Sequence, residues 1–221
     1  MYKIETHLHT LYCSSCGKLD ADTIAKQYAE AGYSGITVTD HYIYNSWGKQ
    51  WWPADPKAFK LDMFLEGYYR VREAAAAYGI TVYKGAEIRF AGSPNDYLVY
   101  NCPQALLADP EGIFEMGLAA FHDRCVEAGA LLVQAHPFRG QCTPAEPQNI
   151  DGVEVRNMHP RHDSRNDLAL AFAQEHKLLQ LSGSDCHQFP DIARGGIMTE
   201  VLPANEAELV QLLRSGNYQM I

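Results

Sequence analysis

Two histidines one residue apart, His7 and His9 in "IETHLHT", share a face if residues 2 to 9 form a strand, roughly 7 Å from each other along the backbone. Both imidazoles can then reach one metal ion. Further along stand "TDH" with Asp40 and His41, "GAEIRF" with Glu87, "AHP" with His136, and "GSDCH" with Asp185 and His187. Five of the nine histidines therefore sit in these short motifs, together with three carboxylates. Gathered on one rim, such groups would repel one another without cations. Imidazole nitrogen binds ions of the zinc kind at about 2.0 to 2.1 Å and carboxylate oxygen at about 2.0 to 2.2 Å. The mixture suits Zn, Mn or Fe better than Mg or Ca. There are more ligands than one ion can hold, which points to a multinuclear site, and the two oxygens of Glu87 suit it to bridging.

Elements must bring these motifs together. Apolar runs rich in β-formers fall at 2–9, 35–40, 80–88, 96–100, 130–136, 152–156, 178–183 and 196–201. Helical patterns fall between them at 20–31, 57–78, 111–128, 163–176 and 204–215, the first opened by Asp20 and Asp22 as candidate caps. Strand and helix in alternation predict a mainly parallel sheet buried on both faces. A closed or nearly closed β/α barrel is the economical arrangement. The motifs stand at strand ends, and the irregular stretches 42–56 and 137–150 follow strands, on the face where parallel barrels build active sites.

Composition narrows the classes. The chain has 221 residues, 47% of them hydrophobic, enough for one core, and no linker divides it, so one domain over 1–221 is expected. With 18 basic against 27 acidic residues the net charge is −9, which disfavours nucleic acid as a partner. No stretch approaches the ~20 apolar residues of a membrane span, and the start lacks a basic region followed by an apolar run, so the expectation is a cytoplasmic protein. The six cysteines are expected to be reduced thiols.

The order HxH, TDH, a Glu after a strand, AHP, then GSDxH resembles the PHP family, the polymerase and histidinol phosphatase metal-dependent phosphoesterases. The likeness runs from His7 to His187. It implies a distorted (β/α)7 barrel, TIM-barrel-like, with up to three metals at the C-terminal rim. It further implies that His7, His9, Glu87 and Asp185 hold one ion, that Glu87 and His136 share a second, and that His41 and His187 contribute to a third. Two positions depart from the family pattern. Cys16 precedes Gly17 where members usually carry Asp or His, and "NDYLVY" offers Asp96 where many have a histidine. A thiolate suits Zn or Fe and not Mg, so Cys16 would make the third site soft or leave it empty.

The expected reaction is hydrolysis of a phosphomonoester of a small molecule, by attack of a metal-bound hydroxide, with two or three divalent ions of Zn, Mn or Fe. Arg139 and Arg89 are candidate phosphate clamps because guanidinium matches two oxygens at once. Arg156, Arg161 and Arg165 surround the segment that carries His159 and His162, and His159 is a candidate acid for the leaving group. His122 and His176 lie in helical patterns and read as structural or exposed. Tyr42, Tyr44, Trp47, Trp51 and Trp52 form either an aromatic wall for a substrate ring or a cluster anchoring their loop. The alternatives are a nucleotide phosphatase or nuclease of the same family, a metal-binding domain without turnover, and a redox protein using the "CSSC" pair Cys13 and Cys16.

Overall fold

The computed structural model describes residues 1–14, 16–43 and 60–221. Its first unit is β1 (Tyr2–Leu8), α1 (Ala21–Glu30) and β2 (Tyr33–Val38). Asp20 caps α1 by accepting the Thr23 N–H at 2.7 Å, and Ile24, Ala25 and Tyr28 turn inward at helical spacing. There follow β3 (His41–Ile43), α2 (Leu61–Phe64), α3 (Glu66–Ala76), β4 (Thr81–Arg89) and β5 (Asp96–Tyr100). The chain continues through α4 (Pro110–Glu127), β6 (Leu131–Gln134), β7 (Gly152–Asn157), α5 (Asn166–Glu175) and β8 (Leu179–Gly183). It ends with β9 (Ile197–Thr199), α6 (Glu206–Ser215) and β10 (Gln219–Met220).

The strands lie in the order β10-β9-β1-β2-β4-β5-β6-β7-β8, with β3 paired to β4. Past the end of β8 the chain returns to β1. Leu8 bridges Cys186, His9 N–H donates to the Cys186 carbonyl at 2.9 Å, and Cys186 N–H donates to the His7 carbonyl at 3.1 Å. These bonds nearly close the barrel, and they do so beside the HxH motif.

Three expectations need refinement. The mainly parallel sheet includes antiparallel members, for β5 runs against both β4 and β6 and β9 runs against β1. The link 90–95 is too short for the crossover that parallel neighbours require. The helix expected over 57–78 is two helices from Leu61 to Ala76, and residues 57–59 lie outside those described. Finally, α4 changes direction at Gly117, whose φ of 76° and ψ of 176° only glycine adopts without strain.

Reversal of β5 has a consequence for the site. Asp96 is its first residue, paired in register with Arg89 at the end of β4, so the start of β5 meets the ends of its neighbours at one mouth. At the other end, Leu209, Val210 and Leu213 of α6 pack on Ile4, Tyr83, Leu98, Tyr100 and Leu131. Each such side chain contributes about 1.5 to 3 kcal/mol by leaving water. That plug leaves the opposite mouth free for polar residues.

Candidate metal centre

His7 and His9 come from β1 and the residue after it, His41 from β3, Glu87 from β4, and Asp96 from β5. His136 follows β6, and Asp185 and His187 follow β8. His136 and Asp185 both have positive φ, 29° and 49°. Non-glycine residues held this way cost about 1 to 3 kcal/mol and cluster where function requires a side chain to be aimed.

Glu87 stands at the centre, 1% exposed. Its Oε1 lies 3.4 Å from His7 Nε2 and 3.4 Å from His136 Nε2, while Oε2 lies 3.3 Å from His9 Nε2 and 2.7 Å from His41 Nδ1. Each oxygen thus faces its own pair of imidazoles. Asp185 Oδ1 is 3.4 Å from His7 Nε2 and 3.5 Å from His9 Nε2. Burial alone would push both carboxyls up, but His41 and His7 hold Glu87 well below the usual carboxylate range, and His7 and Arg139 do the same for Asp185.

The donor set fits divalent ions. Two donors each about 2.1 Å from one ion stand roughly 3.0 to 3.4 Å apart at octahedral to tetrahedral angles. The His7 and His9 Nε2 atoms are 3.1 Å apart, and the carboxylate contacts above fall near the same range. Among the described residues neither Glu87 oxygen accepts a hydrogen bond of proper geometry, an expensive state for a buried carboxylate unless a cation is its partner. Three groupings of residues around Glu87 meet the spacing: His7, His9 and Asp185; His9, His41 and His187; and Glu87, Asp96 and His136, in which Asp96 also carries the Arg89 fork. A fourth, His159 with His187 and Asp191, is more heavily engaged. Both Asp191 oxygens bind the Arg161 guanidinium, and Oδ2 also accepts the His187 and Gln188 N–H groups at 3.1 Å each.

Around this cluster is a cavity of about 330 Å³, lined also by Cys16, Arg89, Arg139, His159, Arg161 and His162. The two arginines expected to clamp phosphate reach it but are committed elsewhere. Arg89 makes a fork onto Asp96, at 2.7 and 2.5 Å. Arg139 holds Asp185 Oδ2 at 2.8 Å and also donates to Asn157 and Ser164. Their first task is to orient carboxylates. Arg161 lies at the cavity wall, whereas Arg156 and Arg165 are exposed outside it.

His159 Nε2 accepts from Arg161 at 2.8 Å, and burial with the nearby arginines holds the ring down to about 4 despite Asp185. It is therefore a neutral acceptor and not the proton donor expected. Asp40 also departs from expectation: its carboxylate accepts from Thr10 N–H and Oγ1, at 2.6 and 2.7 Å, joining β2 to β1 outside the cluster. Tyr42 is buried with its hydroxyl donating to the Leu107 carbonyl at 2.7 Å, while Tyr44, Trp47, Trp51 and Trp52 lie outside the described residues. His122 approaches Asp151 at 3.9 Å on α4, and His176 packs on Phe172.

The two cysteines of "CSSC" part company. Cys13 is buried, with its thiol on the Phe64 carbonyl at 2.9 Å, and burial pushes its pKa up. Cys16 lines the cavity; burial raises its thiol too, but His41 and His187 outweigh that and hold it at about 6. Both are free thiols, as are the other four cysteines, and the two sit in different surroundings.

Sequence reasoning missed Glu154, Asn157 and Asp191, all buried. A lone acid in the apolar strand "GVEVR" was the available signal for Glu154. Among the described residues no helix is long and apolar enough to cross a membrane.

Comparison with known proteins gives a consistent answer. No curated protein sequence matches the chain. Among solved structures, a two-domain protein of Bacteroides vulgatus, described as containing a predicted PHP-like metal-dependent phosphoesterase, superimposes with TM-score 0.69 at 17% identity, covering 100% of this chain and 64% of that one. The chain thus spans less than two thirds of that protein. PsfC from Pseudomonas syringae gives 0.70 at 18% identity over 100% and 91% of the two chains. The lesion-specific endonuclease PfuEndoQ from Pyrococcus furiosus gives 0.60 at 14% over 99% and 57%. At such identities these likenesses speak to the fold, a PHP-type barrel. The PHP domain family model matches residues 5–215, nearly the whole length and every motif around Glu87, so the chain belongs to the PHP domain family.

Proposed function

We propose that the protein hydrolyses a phosphomonoester of a small molecule at a site holding two or three divalent ions of the Zn, Mn or Fe kind. The observation that carries this reading is the Glu87 carboxylate, whose two buried oxygens each face a separate pair of imidazoles. Such ions, when bound, supply a nucleophilic water near neutral pH and positive charge for the phosphate oxygens.

The chain's own residues do the rest. His7, His9, Glu87 and Asp185 form the inner set, Glu87 with His136 and Asp96 the second, and His41, His187 and Cys16 the outer set. Arg139 and Arg89 keep Asp185 and Asp96 turned inward. Arg161, forked onto Asp191 but partly exposed at the cavity wall, is a cation that an anionic substrate could meet on its open side, and His159 stays neutral beside it. A cavity of about 330 Å³ suits a small ligand, and a net charge of −9 does not favour a polyanion.

Purified protein stripped of metal, then supplied separately with Mn, Zn or Fe and offered a panel of phosphomonoesters and a single-stranded oligonucleotide, tests the reading. Phosphate release from at least one small ester is expected. Cleavage of the oligonucleotide alone would favour the nuclease alternative, and no turnover with metal bound would leave a binding domain.

A further inference from the structure

Strand β7 contributes none of the residues assigned to the ions, yet two of its side chains reach three of the strands that do. Glu154 is 1% exposed. Its Oε1 accepts from His7 Nδ1 at 2.9 Å, and its Oε2 accepts from Asn157 Nδ2 at 2.9 Å and from the His136 backbone N–H at 3.2 Å. Asn157 Nδ2 donates as well to Asp185 Oδ2 at 3.1 Å. Asn157 Oδ1 accepts from Arg139, from the His159 N–H at 3.1 Å, and from Ser164 at 3.2 Å. This one pair ties together His7 on β1, His136 after β6, and Asp185 after β8.

The backbone is shaped for this. In a regular strand residues three apart point to opposite faces. Between Glu154 and Arg156 the register with β8 shifts, and beyond the shift Arg156 is exposed while Asn157 is buried on the face of Glu154. A bulge that re-aims a side chain beside a site is a recurrent device. Gly183 on the neighbouring strand makes the room: a Cβ there would stand 2.6 Å from His7 Cβ and 2.7 Å from Glu154 Oε1.

We infer that Glu154 and Asn157 are positioning residues of the metal centre, with Glu154 selecting the His7 tautomer that turns the Nε2 lone pair toward the ion. A carboxylate offers only acceptors, so His7 must carry its hydrogen on Nδ1. The ring nitrogen that faces His9, Glu87 and Asp185 is thereby left free to ligate. Through Asn157 the same carboxylate sets the outer oxygen of Asp185, which leaves Oδ1 for the cluster. Glutamine cannot replace it. One end of its amide would meet either the donors Asn157 and His136 N–H with its own NH2, or His7 Nδ1 with a donor that forces the wrong tautomer.

This inference rests on the proposed metal site, and the test separates the two. Zinc affinity is measured for wild type, Glu154→Gln and Asn157→Ala, and long-range nitrogen–proton NMR reads the His7 ring in the zinc-loaded proteins. Expected is a tenfold to hundredfold weaker zinc affinity in Glu154→Gln, with a smaller loss in Asn157→Ala. Wild type should show an Nδ1–H ring with Nε2 bound. If Glu154→Gln fails to fold, Asn157→Ala and the wild-type spectrum decide alone. Unchanged zinc affinity in the folded variants, or a wild-type His7 protonated on Nε2, overturns the inference and leaves the metal site standing. A wild-type protein that takes up no zinc, manganese or iron overturns both.

Discussion

The two flanks of the mouth are built differently. On the inner flank His7 and His9 are fully buried, and Asp185 is pinned by Arg139 and Asn157. On the outer flank the side chains of His41 and His187 are 11% and 13% exposed, and His187 Nδ1 rests on the Asp185 backbone carbonyl at 2.9 Å. Buried charged partners hold every member of the first set, whereas in the second only His41 meets Glu87 closely, at 2.7 Å, and the His187 ring leans on a main-chain oxygen. An ion on the inner flank should accordingly be held tightly, and one on the outer flank should exchange.

The sharpest way to break that contrast is to remove an inner ligand. His9→Ala or Asp185→Ala is expected to lose bound metal and to lower kcat/KM by about 10³-fold or more, several kcal/mol of lost charge stabilisation. Elemental analysis beside steady-state kinetics checks this, and unchanged metal content in both variants would refute the assignment. Gly183→Ala presses a methyl group against His7 and Glu154. It should destabilise the fold by roughly 1 to 3 kcal/mol and weaken metal binding, read by thermal unfolding with and without zinc. A variant as stable as wild type in both states would mean that the inner flank is more pliable than its packing implies. On the outer flank Cys16→Ser should be milder, about a tenfold fall in activity with one ion fewer and the inner pair retained. Loss of all metal from that variant would erase the distinction between the flanks.

The parts of this arrangement that were legible in sequence share one property: they are polar residues in short runs at the ends of apolar strands. His7, His9, His41, Glu87, His136, Asp185 and His187 all meet at the mouth, because strand termini in a barrel converge wherever the helices return the chain. Asp96 was legible as a residue but not as a strand start, since its arrival depends on β5 running backward. Arg89 and Arg139 were recognised as near the site while their partners were not. A guanidinium satisfies a carboxylate as well as it does a phosphate, and only coordinates show which it meets. Glu154 and Asn157 were hidden by a bulge, which breaks the alternation that sequence patterning assumes. Asp40 is the converse case. Its motif matched the rest, but its carboxylate turns to Thr10, and Gly67 of the neighbouring helix packs on the two with no room for a side chain.

The smallest effect concerns protons and not turnover. In metal-free protein the Cys16 thiol is held at about 6 against an ordinary value near 9, with His41 and His187 overcoming the burial that would raise it. A depressed pKa means that the reactive thiolate forms as pH rises through about 6 and is essentially complete near neutrality. Alkylation of Cys16 should therefore climb between roughly pH 5 and 7 and then level off, whereas Cys13, buried and pushed the other way, stays silent throughout. Mass spectrometry of the labelled peptides follows both residues in one experiment. Zinc should then suppress labelling of Cys16 across the whole range if the thiolate completes the outer site with the two imidazoles. Labelling that is indifferent to zinc while the inner flank fills would show that the outer ligands act without the thiol, and the two flanks would differ in number of ligands as well as in how firmly each is held.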